Sequence, residues 1–272
     1  MSSIPQHTPA AEISADPGSD SSRWGEGPQT AAPRQKYWIP RDTYVCATRG
    51  GFVFLDLRRN RYFAISEHQG HALSACVHDW PSNPADCSSN AHSSVPSEQV
   101  AELLNCGLLT SQATASKSSA AKSISLEGLM ACAMDLCSTR PRIRGHHVFN
   151  FVRACVWTTC VTRLFSLSTI VSAVRRRKAR KAPLQAAFNA REAAALAEVF
   201  RLLRPWAYRA DGHCIHHALA VLRFLSYYGF FPIWVIGVTL RPWRAHSWVQ
   251  YDALVLDTTP NRVTAFTPIL TV

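Results

Sequence analysis

The sequence predicts an α+β protein built as two units in tandem. Three observations carry that expectation. Three short β-prone runs with turn residues between them lie from Thr43 to Ser66, and two helical runs follow them. Ser111 to Ser123 is almost entirely Ser, Ala, Lys and Thr, the composition of a linker. The remainder, from Ile124 onward, opens with helical patterns and finishes with β-prone runs.

The first 36 residues are rich in Pro, Ser, Gly, Gln and Ala with few large apolar side chains, and read as a disordered tail. Ordered texture begins at Tyr37. Thr43–Thr48 is β-prone and stops at the turn Arg49-Gly50-Gly51. Phe52–Leu57 follows, then Arg58-Arg59-Asn60, then Arg61–Ser66, so the three runs make an antiparallel meander. Ser66 is a helix N-cap, with His71 to Val77 as the helix body. Trp80 to Ser97 reads as a loop. Ser97–Leu104 is a second helix, ended by Asn105-Cys106-Gly107. A meander followed by helices over 37–110 is a winged-helix-like layout. Glu98 and Glu102 lie on the second helix without a basic cluster, which argues against reading a DNA groove. No nucleic-acid partner is expected.

In the second unit, spanning 124–272, Ile124 to Cys137 reads as a helix with Leu126, Leu129, Met130 and Ala133 on one face, broken at Arg140-Pro141-Arg142. Val148 to Val174 reads as one long or two shorter buried helices. Arg153 and Arg163 interrupt it, so stable membrane insertion is not expected. Arg175 to Lys181 carries six positive charges and reads as a solvated linker or helix end. Ala182 to Leu203 is a third helical stretch, ended by Arg204-Pro205. Ile233–Leu240, Ala245–Tyr251 and Leu254–Asp257 are the strands.

The formal net charge is +11, which favours anionic partners. Nine cysteines, an odd number with no Cys-x-x-Cys pair, exclude a disulfide framework and zinc knuckles. With no signal-like N-terminus, the expectation is a reducing cytoplasm and mostly buried free thiols.

The chemistry concentrates between Asp211 and Pro260. Asp211-Gly212-His213-Cys214 is followed by an apolar run at helical spacing, so Cys214 stands in the first turn of a helix. There the positive end of the dipole lowers a thiol's pKa, and free N–H groups can hold an oxyanion. His246 lies on a strand, sharing a face with Trp248 and Gln250. Asp257 ends the next strand, where an acid can orient an imidazole. Nucleophile, base and acid are thus Cys214, His246 and Asp257. His213, His216 and His217 crowd Cys214 and could be read as metal ligands. The Cys/His/Asp order accounts for more of the sequence, and no metal is expected.

Two resemblances sharpen this reading. Phe54-Leu55-Asp56-Leu57, Arg61 to Ser66 and Leu103 to Leu109 resemble the PqqD-like domain, which binds the leader of a ribosomally made precursor peptide as an added strand. That resemblance implies a groove formed by Tyr62, Phe63, Ala64, Ile65, Val100, Leu103 and Leu104. Cys214 at a helix start, Ala245-His246-Ser247-Trp248-Val249 and Val255 to Pro260 resemble the transglutaminase-like (papain-like) cysteine protease fold. With Phe266-Thr267-Pro268-Ile269-Leu270, they resemble more narrowly the B-protein leader peptidases of lasso-peptide biosynthesis. The resemblance implies cleavage between leader and core, without a cofactor on this chain. It also implies a partner, an asparagine-synthetase-like cyclase that uses ATP. One departure stands out: the family's acid falls twelve residues after the histidine, where this chain has Thr258. Transglutaminase-type acyl transfer on the same triad, or a non-catalytic peptide-binding scaffold, remain the alternatives.

Overall fold

The computed structural model describes residues 36–81, 97–113, 131–136, 140–181, 189–208 and 213–272. The expected tail and most of the expected linker lie outside the described residues, as do the first residues of the helix expected from Ile124.

Strands β1 (Thr43–Thr48), β2 (Gly51–Asp56) and β3 (Arg61–Ile65) form an antiparallel sheet in the order β1-β2-β3. The central strand is apolar from Phe52 to Leu55 because both its faces are covered. Phe52 and Phe54 face helices α1 (Glu67–Ser74) and α2 (Ser97–Asn105) in one core, while Val53 and Leu55 enter the larger core of the C-terminal part. The β1–β2 turn needs glycine: Gly50 and Gly51 have φ of 98° and 149°. Ser66 caps α1 in a reciprocal capping box with Gln69, so the helix starts at Glu67. Trp38 and Thr110 exchange two backbone hydrogen bonds of 2.8 Å, which brings the ends of this stretch together.

The helix expected from Ile124 to Cys137 is corrected where it is described. Ala131–Cys132 is a short strand, β4, and only Ala133–Leu136 is helical, as α3. Two residues of backbone are drawn off to pair in parallel with a later strand, which overrides the helical spacing. The apolar stretch that follows is two helices, α4 (Gly145–Leu164) and α5 (Leu167–Lys181). They part at Phe165-Ser166, where the Ser166 hydroxyl accepts from the Thr169 N–H. The expectation that this stretch is buried fails for α4. Phe151, Ala154 and Thr158 face the core, but Phe149, Val152, Val156 and Leu164 are exposed. Its sequence is apolar on both faces, and the core covers one. The basic run forms the last turns of α5 and is not a linker. Arg175 donates to the Tyr44 hydroxyl at 2.8 Å and to the Thr271 carbonyl at 3.3 Å.

Helix α6 (Ala190–Leu203) begins at an Asn189 cap and runs into a 3₁₀ turn at Arg204–Trp206. Then come α7 (Cys214–Ser226), β5 (Ile233–Leu240), β6 (Trp243–Tyr251), β7 (Leu254–Val255), α8 (Pro260–Val263) and β8 (Thr267–Thr271). They build a five-stranded sheet in the order β4-β7-β6-β5-β8, antiparallel except between β4 and β7. Trp234, Ile236, Val238 and Val249 share the large core with the apolar side of α7. The other face carries Val235, Trp248 and Val255, closed by Val263 and Phe266. No helix among the described residues is long and apolar enough to cross a membrane.

Gly237 sets how β5 and β6 pack. A Cβ there would stand 2.7 Å from two ring carbons of Trp248 and 3.0 Å from Cβ of Phe266. Gly237→Ala should therefore overpack this face and cost about 1–3 kcal/mol, read as a lower urea midpoint at unchanged slope.

Candidate active site

The site is built on the open edge of β6. Strand β7 is two residues long and pairs only with Gln250 and Tyr251. Upstream, the N–H groups of Ser247 and Val249 point out of the sheet edge with no strand to receive them. A buried N–H must find an acceptor, and two functional side chains supply it. The Ser247 N–H stands toward the sulfur of Cys214 and favours its thiolate. Asp257 Oδ1 accepts Val249 N–H at 2.9 Å.

Cys214 is the first residue of α7, and His213 before it gives no side-chain cap. The first-turn N–H groups are therefore left free, and those of Ile215 and Cys214 itself act with that of Ser247 to favour the thiolate. The expectation of a lowered thiol pKa is corrected. Burial pushes the Cys214 thiol above the ordinary range, and the negative charge of Asp257 adds to the rise. The three N–H groups pull against it but do not prevail. The thiol opens on a cleft of about 550 Å³ between α4 and the start of α7, lined by Cys155, Thr159, Arg163, Tyr208, His213 and His216.

His246 stands beside the Ser247 contact, but the pleat turns it the other way. It shares a face with Trp248, whose ring is stacked at 6.1 Å between centroids, and with Phe266 at 5.4 Å. Ser247 and Val249 lie on the face toward α7. Among the described residues, His246 Nε2 is buried and has no hydrogen-bond partner. Burial, then Arg262 and Arg244, lower its pKa, which favours the neutral ring. The structure thus brings the backbone next to His246 against the thiol, while the imidazole makes no hydrogen bond to Cys214 or Asp257.

Asp257 lies beyond the end of β7, so strand alternation does not govern it. Burial pushes its carboxyl up to about 7, against the pull of Val249 N–H and its own N–H. On its far side a second cleft of about 250 Å³ is lined by His217, Thr258, Thr259, Arg201, Arg204 and Arg262. Thr258, at the position where the resemblance wants an acid, therefore lines a cleft that also holds Glu198, paired with Arg201 at 2.6 Å.

The histidines around Cys214 are tied into the frame. His216 Nε2 lies 3.1 Å from the Thr159 hydroxyl, and His217 Nδ1 lies 3.0 Å from the Tyr208 hydroxyl. Burial, then Arg204, drive His217 down to about 4, against a hydrogen bond with the Asp257 backbone. Among the described residues no three His, Cys, Asp or Glu groups converge as metal ligands.

The expected leader groove is redistributed. Val100 and Leu103 are buried in the core under the small sheet, Leu104, Phe63 and Ile65 pack partly buried against it, and Ala64 is exposed. Val100 and Leu103 thus turn into the core, as the apolar residues of a short amphipathic helix do. Tyr62 faces the other way. Its ring meets Trp243 edge-on at 5.3 Å, and its phenol is pushed up to about 12 by burial and then by the charge of Cys214. It is a site neighbour that only the tertiary arrangement reveals, since the thiol lies far along the chain. The thiols are also less buried than expected. Among the described cysteines only Cys46 and Cys132 are buried, and Cys160 is exposed.

Residues 154–271 match the family model described as Transglutaminase-like superfamily. That stretch, from the middle of α4 through β8, is a transglutaminase-like domain and contains Cys214, His246 and Asp257. No curated protein and no solved structure matches the chain.

Asp257 and His217 pull stability in opposite directions across one pH range. A carboxyl raised from 3.8 to about 7 in the folded chain stabilises below pH 4 and loses that contribution as pH climbs to 7. An imidazole lowered from 6.5 to about 4 contributes fully above 6.5 and loses its contribution as pH falls to 4. Asp257→Asn should make stability rise more steeply with pH over this range than in the native chain, and His217→Gln should make it fall. Denaturation midpoints measured between pH 4 and 7 check both signs.

Proposed function

We propose that the chain is a cysteine peptidase that removes the leader of a lasso-peptide precursor. The observation that carries the reading is the Cys214 thiol at the first residue of α7, opening on a cleft and surrounded by N–H donors. Those donors suit the oxyanion that forms when sulfur attacks a carbonyl. Cys214 attacks the carbonyl of the leader–core bond. His246, neutral and with Nε2 unfilled, takes the thiol proton and returns it to the leaving amine. This requires the imidazole to turn toward the sulfur from its place on Trp248. Water then releases the thioester. Asp257 fixes the β6 edge through Val249 and sets the charge beside the thiol, acting on the base through the strand.

The substrate class rests on the N-terminal unit. Its β3 is an edge strand of the small sheet, open to an added leader strand, and its Tyr62 reaches the neighbourhood of Cys214. Tyr62, Phe63, Ala64, Ile65 and Leu104 are the residues that such a leader would meet. The freed core would pass to an asparagine-synthetase-like cyclase. The match to the transglutaminase-like family also supports acyl transfer from the same thioester to an amine.

Cys214→Ala should reduce cleavage of a precursor by roughly 10⁴-fold or more while leaving precursor affinity unchanged. Cleavage at the native rate by the variant would remove Cys214 from the mechanism. The mass of the released leader decides between the two reactions, since hydrolysis adds one water and transfer adds the amine.

A further inference from the structure

The whole formal net charge of the chain comes from one segment. Residues 140–181 hold eleven Arg and Lys and no Asp or Glu, while the rest balances eighteen basic against eighteen acidic residues. That segment is α4 and α5 with the residues leading into them, and α4 also carries the apolar face that the core leaves uncovered. Phe149 is 63% exposed, Val152 50%, Val156 57% and Leu164 74%, with Phe165 at 53% in the turn beyond. Positions 149, 152, 156 and 160 recur at helical spacing, so Phe149, Val152, Val156 and the exposed Cys160 form one stripe, which Leu164 extends. The helix has 20 residues, and the stripe runs along most of its length of about 30 Å. Arg153 and Arg163 stand on the same side, and the Arg153 guanidinium lies between two rings, 5.4 Å from the Phe149 centroid and 4.6 Å from that of Tyr227.

We propose that α4 and α5 are a docking surface for an anionic lipid bilayer, on which α4 lies flat with its stripe in the headgroup boundary. Each of the two observations narrows the occupant. A contiguous apolar stripe asks for an apolar partner, which a nucleic-acid backbone does not offer. Eleven positive charges in a segment that holds no acid ask for an anionic one, which a second copy of this chain does not offer. An acidic bilayer supplies both, and arginines that keep their stems on the apolar face while the heads reach phosphates fit an interfacial helix. Thr159, Thr162 and Arg163 of α4 also line the Cys214 cleft, so a chain lying on its α4 face holds the cleft close to the lipid surface.

Sedimentation of the full chain with vesicles of phosphatidylcholine, with and without phosphatidylglycerol, tests this. Binding is expected only where phosphatidylglycerol is present, and should weaken as salt rises. The substitutions F149E/V156E on the stripe and R177E/R180E on α5 should each lower it by about tenfold or more. Phe149, Val156 and Arg180 are exposed and Arg177 is half-buried, and circular dichroism verifies that the variants keep their fold. Cys214→Ala should bind as the native chain does, which separates this result from the proposed chemistry. Failure to bind phosphatidylglycerol vesicles overturns the proposal, as does binding that F149E/V156E leaves unchanged. A native dimer that F149E/V156E converts to monomer, without lipid binding, overturns it in favour of self-association.

Discussion

The open edge of β6 is the constraint on which the site depends. A strand between two full neighbours would spend its N–H groups on ladders. Here β7 stops after two residues, and Ser247 and Val249 keep their N–H groups for other acceptors. One receives a thiol from the start of α7, the other a carboxylate from the bend after β7. Both acceptors are held by the same strand at positions two residues apart, so their spacing is fixed by strand geometry. The register of β6 against β5 is fixed in turn by the fit of Trp248 over Gly237. A slip of one residue would exchange His246 for Ser247 on each face and move both N–H groups to the wrong edge.

The electrostatics follow from enclosing that edge. Asp257 is buried without a cationic partner, so its carboxyl rises to about 7 and its charge at neutral pH is partial. A full negative charge there would raise the thiol further, because Asp257 already opposes thiolate formation at Cys214. The backbone N–H groups around the sulfur offset that effect. The balance favours a thiol that loses its proton when a base is turned toward it, over a standing thiolate. Arg204 and Arg262, in the cleft behind Asp257, act on His217 and His246 and help keep both rings neutral.

Much of this architecture was legible in the sequence, and the places where it was not have local causes. The meander, the Ser66 cap and the α7 start follow from turn chemistry and period, which act over a few residues. Cys214 is legible for the same reason, because its position in a helix depends on its immediate neighbours. The alternation of β6 placed His246 with Trp248 and Gln250, as found. It did not say which face α7 covers, and that decides whether an imidazole can meet the thiol. Asp257 was expected as the last residue of a strand, whereas β7 ends at Val255 and frees the acid to turn onto the β6 edge. The exposed stripe of α4 was read as core, since apolar spacing records hydrophobicity and not what covers it. Tyr62 was assigned to a leader groove by resemblance, and only the packing of the two sheets brings it near the thiol.

That packing gives the N-terminal sheet a part in the site. Val53 and Leu55 of β2 lie in the same core as α7 and β5, and Tyr44 of β1 is bound by Arg175, which also holds the β8 backbone. The small sheet is thus welded to the C-terminal part through one face of its central strand. Its other face is held by α1 and α2. In the order β1-β2-β3, β3 is an edge strand of the small sheet. Tyr62 sits on that strand with its ring on Trp243, at the start of β6. One ring contact thus joins β3 to the strand that carries His246.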